Sequence, residues 1–131
     1  MLLQIAIAVT GEKTRRRLRA LLREQDAVVH VVKGRTDLWG RAVDKSPDVI
    51  LIDPWALEAA IEEGAPLHRG TVDPPAVVAV SDDESASERA ALIAAGCEAV
   101  LFAGLKESAL AGALEAILDR HRAALARDLS R

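Results

Sequence analysis

Five short aliphatic runs recur along the chain with room for one helix between each pair, and this alternation limits the possible folds more than any other feature. The runs are Leu2–Val9, Val28–Val32, Val49–Ile52, Ala76–Val80 and Ala99–Phe102. Near-continuous apolar runs, as opposed to alternating ones, mark strands buried on both faces. Between them the spacing turns helical: from Thr14 onward, Leu18, Leu21 and Leu22 share one side while the arginines lie largely on the other. Strands that alternate strictly with helices build a parallel sheet, because each right-handed crossover returns the chain to the same sheet. The expected architecture is α/β: a five-stranded parallel sheet, doubly wound, in three layers. Sites in such sheets lie beyond the C-terminal strand ends, here at Thr10, Gly11, Asp53, Ser81 and Ala103.

Glycine and proline punctuate this order. Gly34 ends the second run, and a helix is expected from about Thr36 to Lys45, with Trp39 and Val43 four apart on a core-facing side. Ser46-Pro47-Asp48 stops it, since the residue before proline avoids helical torsions. Pro54 can open a helix over Trp55 to Glu63, closed by Gly64 and followed by a loop from Ala65 to Pro75. Ser85 or Ser87 can cap an alanine-rich helix that Gly96 ends, and a last helix starts near Glu107.

With 131 residues the chain suits a single core. Trp39, Trp55 and Phe102 are its only aromatics, so packing is aliphatic and no platform for stacking bases is expected. A net charge of −3 gives no bulk attraction to nucleic acid, although Arg15, Arg16, Arg17, Arg19 and Arg23 concentrate positive charge locally. That run reads as a solvated helix face or a docking surface for an acidic partner. No apolar stretch approaches the roughly 20 residues of a membrane span, and Leu2–Val9 has no basic leader before it. Cys97 is the single cysteine and reads as a small buried hydrophobe, so a cytoplasmic, reducing location is expected. His30, His68 and His121 are scattered and imply no metal site. Thr10–Thr14 follows a strand like a phosphate-binding loop, but the two places that must be glycine hold Glu12 and Ile7.

The order of residues then becomes familiar. Pro47-Asp48-Val49-Ile50-Leu51-Ile52-Asp53, Val78-Ala79-Val80-Ser81 and Gly96-Cys97-Glu98-Ala99-Val100-Leu101-Phe102 resemble three segments of response-regulator receiver domains. The likeness runs from about Leu3 to Leu118 and implies a flavodoxin-like (βα)5 sandwich. It also implies that Asp53 stands at the phosphoacceptor position and Ser81 at the switch position. The pocket departs from the family pattern elsewhere: Thr10 and Gly11 replace the acidic pair, Ala103 and Gly104 replace the Lys-Pro pair, Val100 replaces the switch aromatic, and Asp82 replaces a small residue. Such a pocket is degenerate, because magnesium is usually held by one or two carboxylates and phosphoryl transfer needs neutralising cations. Glu12 lies one residue beyond the usual acidic pair, where a register shift could bring it in.

Residues 1–120 form the receiver-like unit, and 121–131 extend its last helix as a linker or dimerisation segment. Leu110, Leu114, Ile117, Leu118, His121, Leu125 and Leu129 continue one stripe along this helix. Beyond Arg120 the stripe is expected to lack domain surface of its own. Val100, Leu114, Ile117 and Leu125 are therefore expected as an interaction face, with a homodimer or an output protein as partner. The expected function is a signalling module, a pseudo-receiver acting by protein contact, with no enzyme activity and no cofactor. Two alternatives stand beside it. One is an active receiver phosphorylated on Asp53 with magnesium, helped by Glu12 and Asp82 or Asp83. The other is a sensor holding a small ligand in the vacated pocket.

Overall fold

In a computed structural model of the chain, which describes residues 2–34, 37–64 and 75–129, strands and helices alternate from end to end. They are β1 (Leu3–Ala8), α1 (Glu12–Leu22), β2 (Ala27–Val31), α2 (Leu38–Val43), β3 (Val49–Ile52), α3 (Pro54–Glu62), β4 (Ala76–Ser81), α4 (Ala86–Ala94), β5 (Ala99–Phe102) and α5 (Glu107–Leu129). The strands form one parallel sheet in the order β2-β1-β3-β4-β5.

The period of two along each strand sorts the apolar runs into two cores. Leu3, Ile5 and Ile7 of β1, Val49 and Leu51 of β3, and Val78 and Val80 of β4 face α1 and α5, which contribute Leu18, Leu22, Leu110, Leu114 and Leu118. Ala6, Ala8, Ile50, Ile52, Val77 and Ala79 face the other way, against Leu38, Ala42, Ala56, Leu57 and Leu92 of α2, α3 and α4. Two closed layers of helices explain why the runs look continuous instead of alternating. The chain reverses direction across the sheet between β1 and β3, so their C-terminal ends open a crevice at Thr10 and Asp53.

Several boundaries differ from expectation. Helix α1 starts at Glu12, two residues before Thr14, because Gly11 already adopts an extended entry conformation ahead of it. Helix α2 is short, and its core side is Leu38 and Ala42; Val43 is exposed and Trp39 only half-buried. The expected pairing of Trp39 with Val43 is one residue out of phase, since Leu38 takes the inward position. Asp37, in the left-handed region with φ of 53°, sets that entry. Ser85, and not Ser87, caps α4 by accepting from Glu88 N–H at 3.2 Å, and Gly96 closes the turn after it with φ of 118°. Thr36, His68, the stretch from 65 to 74 and the side chain of Leu129 lie outside the described residues.

Candidate functional site

Asp53 sits where β3 gives way to α3, and both of its carboxylate oxygens are occupied. Oδ1 accepts from Ala56 N–H at 2.9 Å, the N-cap bond of α3, while Pro54 fills the first turn without needing an acceptor. Oδ2 accepts from the Thr10 amide at 2.7 Å and also from the Thr10 hydroxyl. A negative charge at a helix N-terminus is favoured by the aligned peptide dipoles as well. Asp53 therefore ties the ends of β1 and β3 together and caps α3.

Around it lies a half-open cavity of about 230 Å³ lined by Val9, Thr10, Gly11, Thr14, Asp53, Pro54, Trp55, Val80, Asp82 and Ala103. Of the residues expected in the pocket, Thr10, Gly11, Asp82 and Ala103 line it and Glu12 does not. Glu12 opens α1 and is drawn outward into an ion pair with Arg16 at 2.7 Å, one helical turn on.

Ser81 is buried at the end of β4 but turned away from the cavity. Its Oγ accepts from Asp83 N–H at 3.1 Å, closing a turn within the β4–α4 loop. Asp83 is drawn away too, since its Oδ1 accepts from Ser85 N–H at 2.8 Å. Hydrogen bonds from the Ser85 amide and hydroxyl hold the Asp83 carboxyl below its ordinary range.

Among the described residues no basic side chain lines the cavity. Arg17, half-buried on α1, reaches across the end of the sheet, where its Nη1 donates to the Ala103 carbonyl and its Nη2 to the Leu105 carbonyl. Arg15 donates to the Val9 carbonyl at 3.2 Å. The guanidinium nearest the family's lysine position is thus spent on the β5–α5 loop. In that loop a Cβ on Gly104 would come within 2.6 Å of the Phe102 ring, so a proline there would displace the ring. Magnesium takes octahedral oxygen coordination. Among the described residues the cavity offers two carboxylates, the exposed Asp82 and Asp53 with both oxygens already hydrogen-bonded within the domain, and this donor set does not fit the ion.

No protein-family model matches the chain and no curated protein matches it, whereas many solved structures do. The signal receiver domain assigned to a Luxo repressor protein of Vibrio parahaemolyticus superposes with a TM-score of 0.69 at 15% identity, covering 100% of this chain and 98% of that one. A response regulator in red light signalling of R. palustris gives 0.64 at 14% identity, covering 88% and 91%. NtrX from Brucella abortus gives 0.68 at 18% identity; it covers 99% of this chain, which spans 29% of that protein. The chain has the receiver fold.

Within the receiver fold, the expected interaction face divides. Leu114 and Ile117 are 1% and 6% exposed and pack into the domain's own core, so they are not available to a partner. Val100 is half-buried and borders a surface hollow with Phe102, Leu105 and Ala113. Leu125 is half-buried as well, in a hollow it shares with Leu3, Pro47 and His121. The extension of α5 does cover domain surface: His121 Nε2 meets Glu98 Oε2 at 2.5 Å, and Arg122 Nη2 donates to Gln25 Oε1 at 3.1 Å. The sequence reading missed Arg17, Thr14 and Trp55 as neighbours of the site. For Arg17 the only signal was its place within the arginine run.

Proposed function

We propose that the chain is a signalling module of receiver fold that works by protein contact without phosphorylation and without a cofactor. The observation that carries this reading is the engagement of both carboxylate oxygens of Asp53 by hydrogen bonds within the domain. A carboxylate that already accepts from Ala56 N–H on one oxygen and from the Thr10 amide and hydroxyl on the other would have to give up part of this cap and tie to bind a metal or attack phosphorus with a fully exposed oxygen. Developing charge on a phosphoryl group would also meet Asp82 and, among the described residues, no cation lining the cavity. The tethers from Arg17 to the β5–α5 loop support a domain held in one arrangement, read by a partner as it stands. The solved relatives described as response regulators support a signalling role. Leu114, Ile117 and Leu118 are used within the protomer, so a homodimer through α5 would rest on the segment beyond Arg120, where Leu125 is half-buried.

Intact mass after incubation with magnesium and acetyl phosphate tests this reading. No gain is expected. A phosphoryl-sized gain that disappears in both Asp53→Asn and Asp53→Ala would overturn it.

A further inference from the structure

The structure sorts the basic residues of α1 in a way the sequence could not. Arg15 and Arg17 are half-buried and bonded to backbone carbonyls at the strand ends. Lys13, Arg16, Arg19 and Arg23 are exposed, and among the described residues Lys13, Arg19 and Arg23 have no side-chain hydrogen bond or ion pair. Arg16, Arg19 and Arg23 follow the three- and four-residue steps that line up along one face, about 10 Å from first to last at 1.5 Å per residue. Between them Ala20 is exposed and small, which leaves the face open to close approach.

This stripe is costly to the helix that carries it. Like charges three and four apart repel, and Lys13, Arg15 and Arg16 sit in the half of α1 where the helix dipole disfavours cations. Glu12 offsets the charge of Arg16, backbone carbonyls hold Arg15 and Arg17, and the C-terminal end of the helix dipole favours Arg19 and Arg23, yet among the described residues Lys13, Arg19 and Arg23 keep no side-chain partner. A row of exposed cations without partners among the described residues presents a positive face to groups outside the domain.

We propose that the outer face of α1 docks an acidic segment of a partner protein. The proposal rests on the reading of this domain as a protein-contact module but does not require that phosphorylation be absent. Complementary charge identifies the partner's chemistry: carboxylates repeating at helical steps over about two turns would match Arg16, Arg19 and Arg23. The stripe is bounded by Glu12 at one end and by exposed Glu24 and Asp26 at the other. Those acids would repel a phosphate backbone continuing past the helix, while a short acidic helix ends before reaching them. A membrane surface is disfavoured by the same face, since none of the exposed large hydrophobic residues lies on α1.

The test titrates isotope-labelled protein with three probes of equal charge while its amide resonances are followed. The probes are an alanine-based helical peptide with glutamates at i, i+4 and i+7, a short DNA duplex, and phosphatidylserine vesicles. Saturable shifts centred on Lys13 to Arg23 are expected with the peptide. They should weaken as salt rises, and on the order of tenfold or more in the double variant Arg19→Glu/Arg23→Glu. The same reversal at Arg120 and Arg127 of α5 should leave binding unchanged. An unchanged melting curve for the α1 variant shows that the fold survives. Three results overturn the proposal: no saturable shift on α1, tighter binding of the duplex or vesicles than of the peptide, or salt-sensitive self-association abolished by the α1 reversal. The phosphodonor experiment and this titration fail separately, so the two readings remain distinguishable.

Discussion

Asp53 and Thr10 show how one exchanged residue redirects a neighbour. A hydroxyl and an amide at Thr10 donate to the carboxylate that a second acid would repel, so Asp53 links β1 to β3 as well as capping α3. Thr10→Val keeps the amide bond but loses the hydroxyl donor, and is expected to cost about 1 kcal/mol in urea unfolding. Asp53→Ala removes the cap of α3 and both links to β1, so a loss of about 2 kcal/mol or more is expected, with Asn at this position costing less because it also caps helices. Cys97 belongs to the same scale. Burial raises its thiol to about 11 from an ordinary 9.0, which keeps it protonated at physiological pH. Alkylation at pH 8 is expected to be slow in the folded protein and to become fast in denaturant. The sign of the pH effect follows from the raised value: the thiol's contribution to stability is present in full below pH 9.0 and falls away as pH rises toward about 11. A chemical midpoint in urea that did not fall over that window would contradict the burial of Cys97.

Helices α1 and α5 make the contrast between elements. Both carry apolar stripes legible at helical spacing, and both stripes were spent on the same core. In α5 the spacing revealed an amphipathic helix but not what would cover it, and Leu114 and Ile117, expected to face a partner, are interior. Leu114→Ala is expected to cost about 2–5 kcal/mol in denaturant unfolding, whereas exposed Ala116 should tolerate polar replacement almost freely. Ending the chain after Arg120 removes the contacts of His121 with Glu98 and of Arg122 with Gln25. That truncation is expected to lower the thermal midpoint by a few degrees, roughly the effect of 1 kcal/mol in a domain this size. Light scattering of the same pair of proteins should show no change in association state, and a halved mass on truncation would restore the α5 dimer. In α1, Arg17→Ala removes two hydrogen bonds from a guanidinium and is expected to cost about 1.5–3 kcal/mol. Amide exchange should rise in the β5–α5 loop, which Arg17 tethers.

For the whole molecule, the βα order was readable because it depends on local rules: β-branched runs long enough for one strand, leucines at helical steps, and breakers such as Pro47, Pro54 and Gly96 at the joints. Those rules also placed Asp53, Ser81 and Ala103 at the ends of their strands, where the sheet's parallel direction gathers them on one edge. A short helix such as α2 was less legible, since six residues leave the phase of its inward face to whichever side chain the sheet accepts. The pocket's chemistry needed the tertiary structure. That Glu12 turns outward to Arg16, that Ser81 bonds back to Asp83, and that Arg17 rather than a lysine reaches the β5–α5 loop are facts of direction and distance across as many as 88 residues. The sequence by itself determined the alternation of strands and helices and which residues stand at the strand ends, because both are local properties. Only the tertiary structure decided that both carboxylate oxygens of Asp53 are hydrogen-bonded within the domain, and which arginines of α1 are left free, because hydrogen bonding between distant segments depends on where the folded backbone brings them.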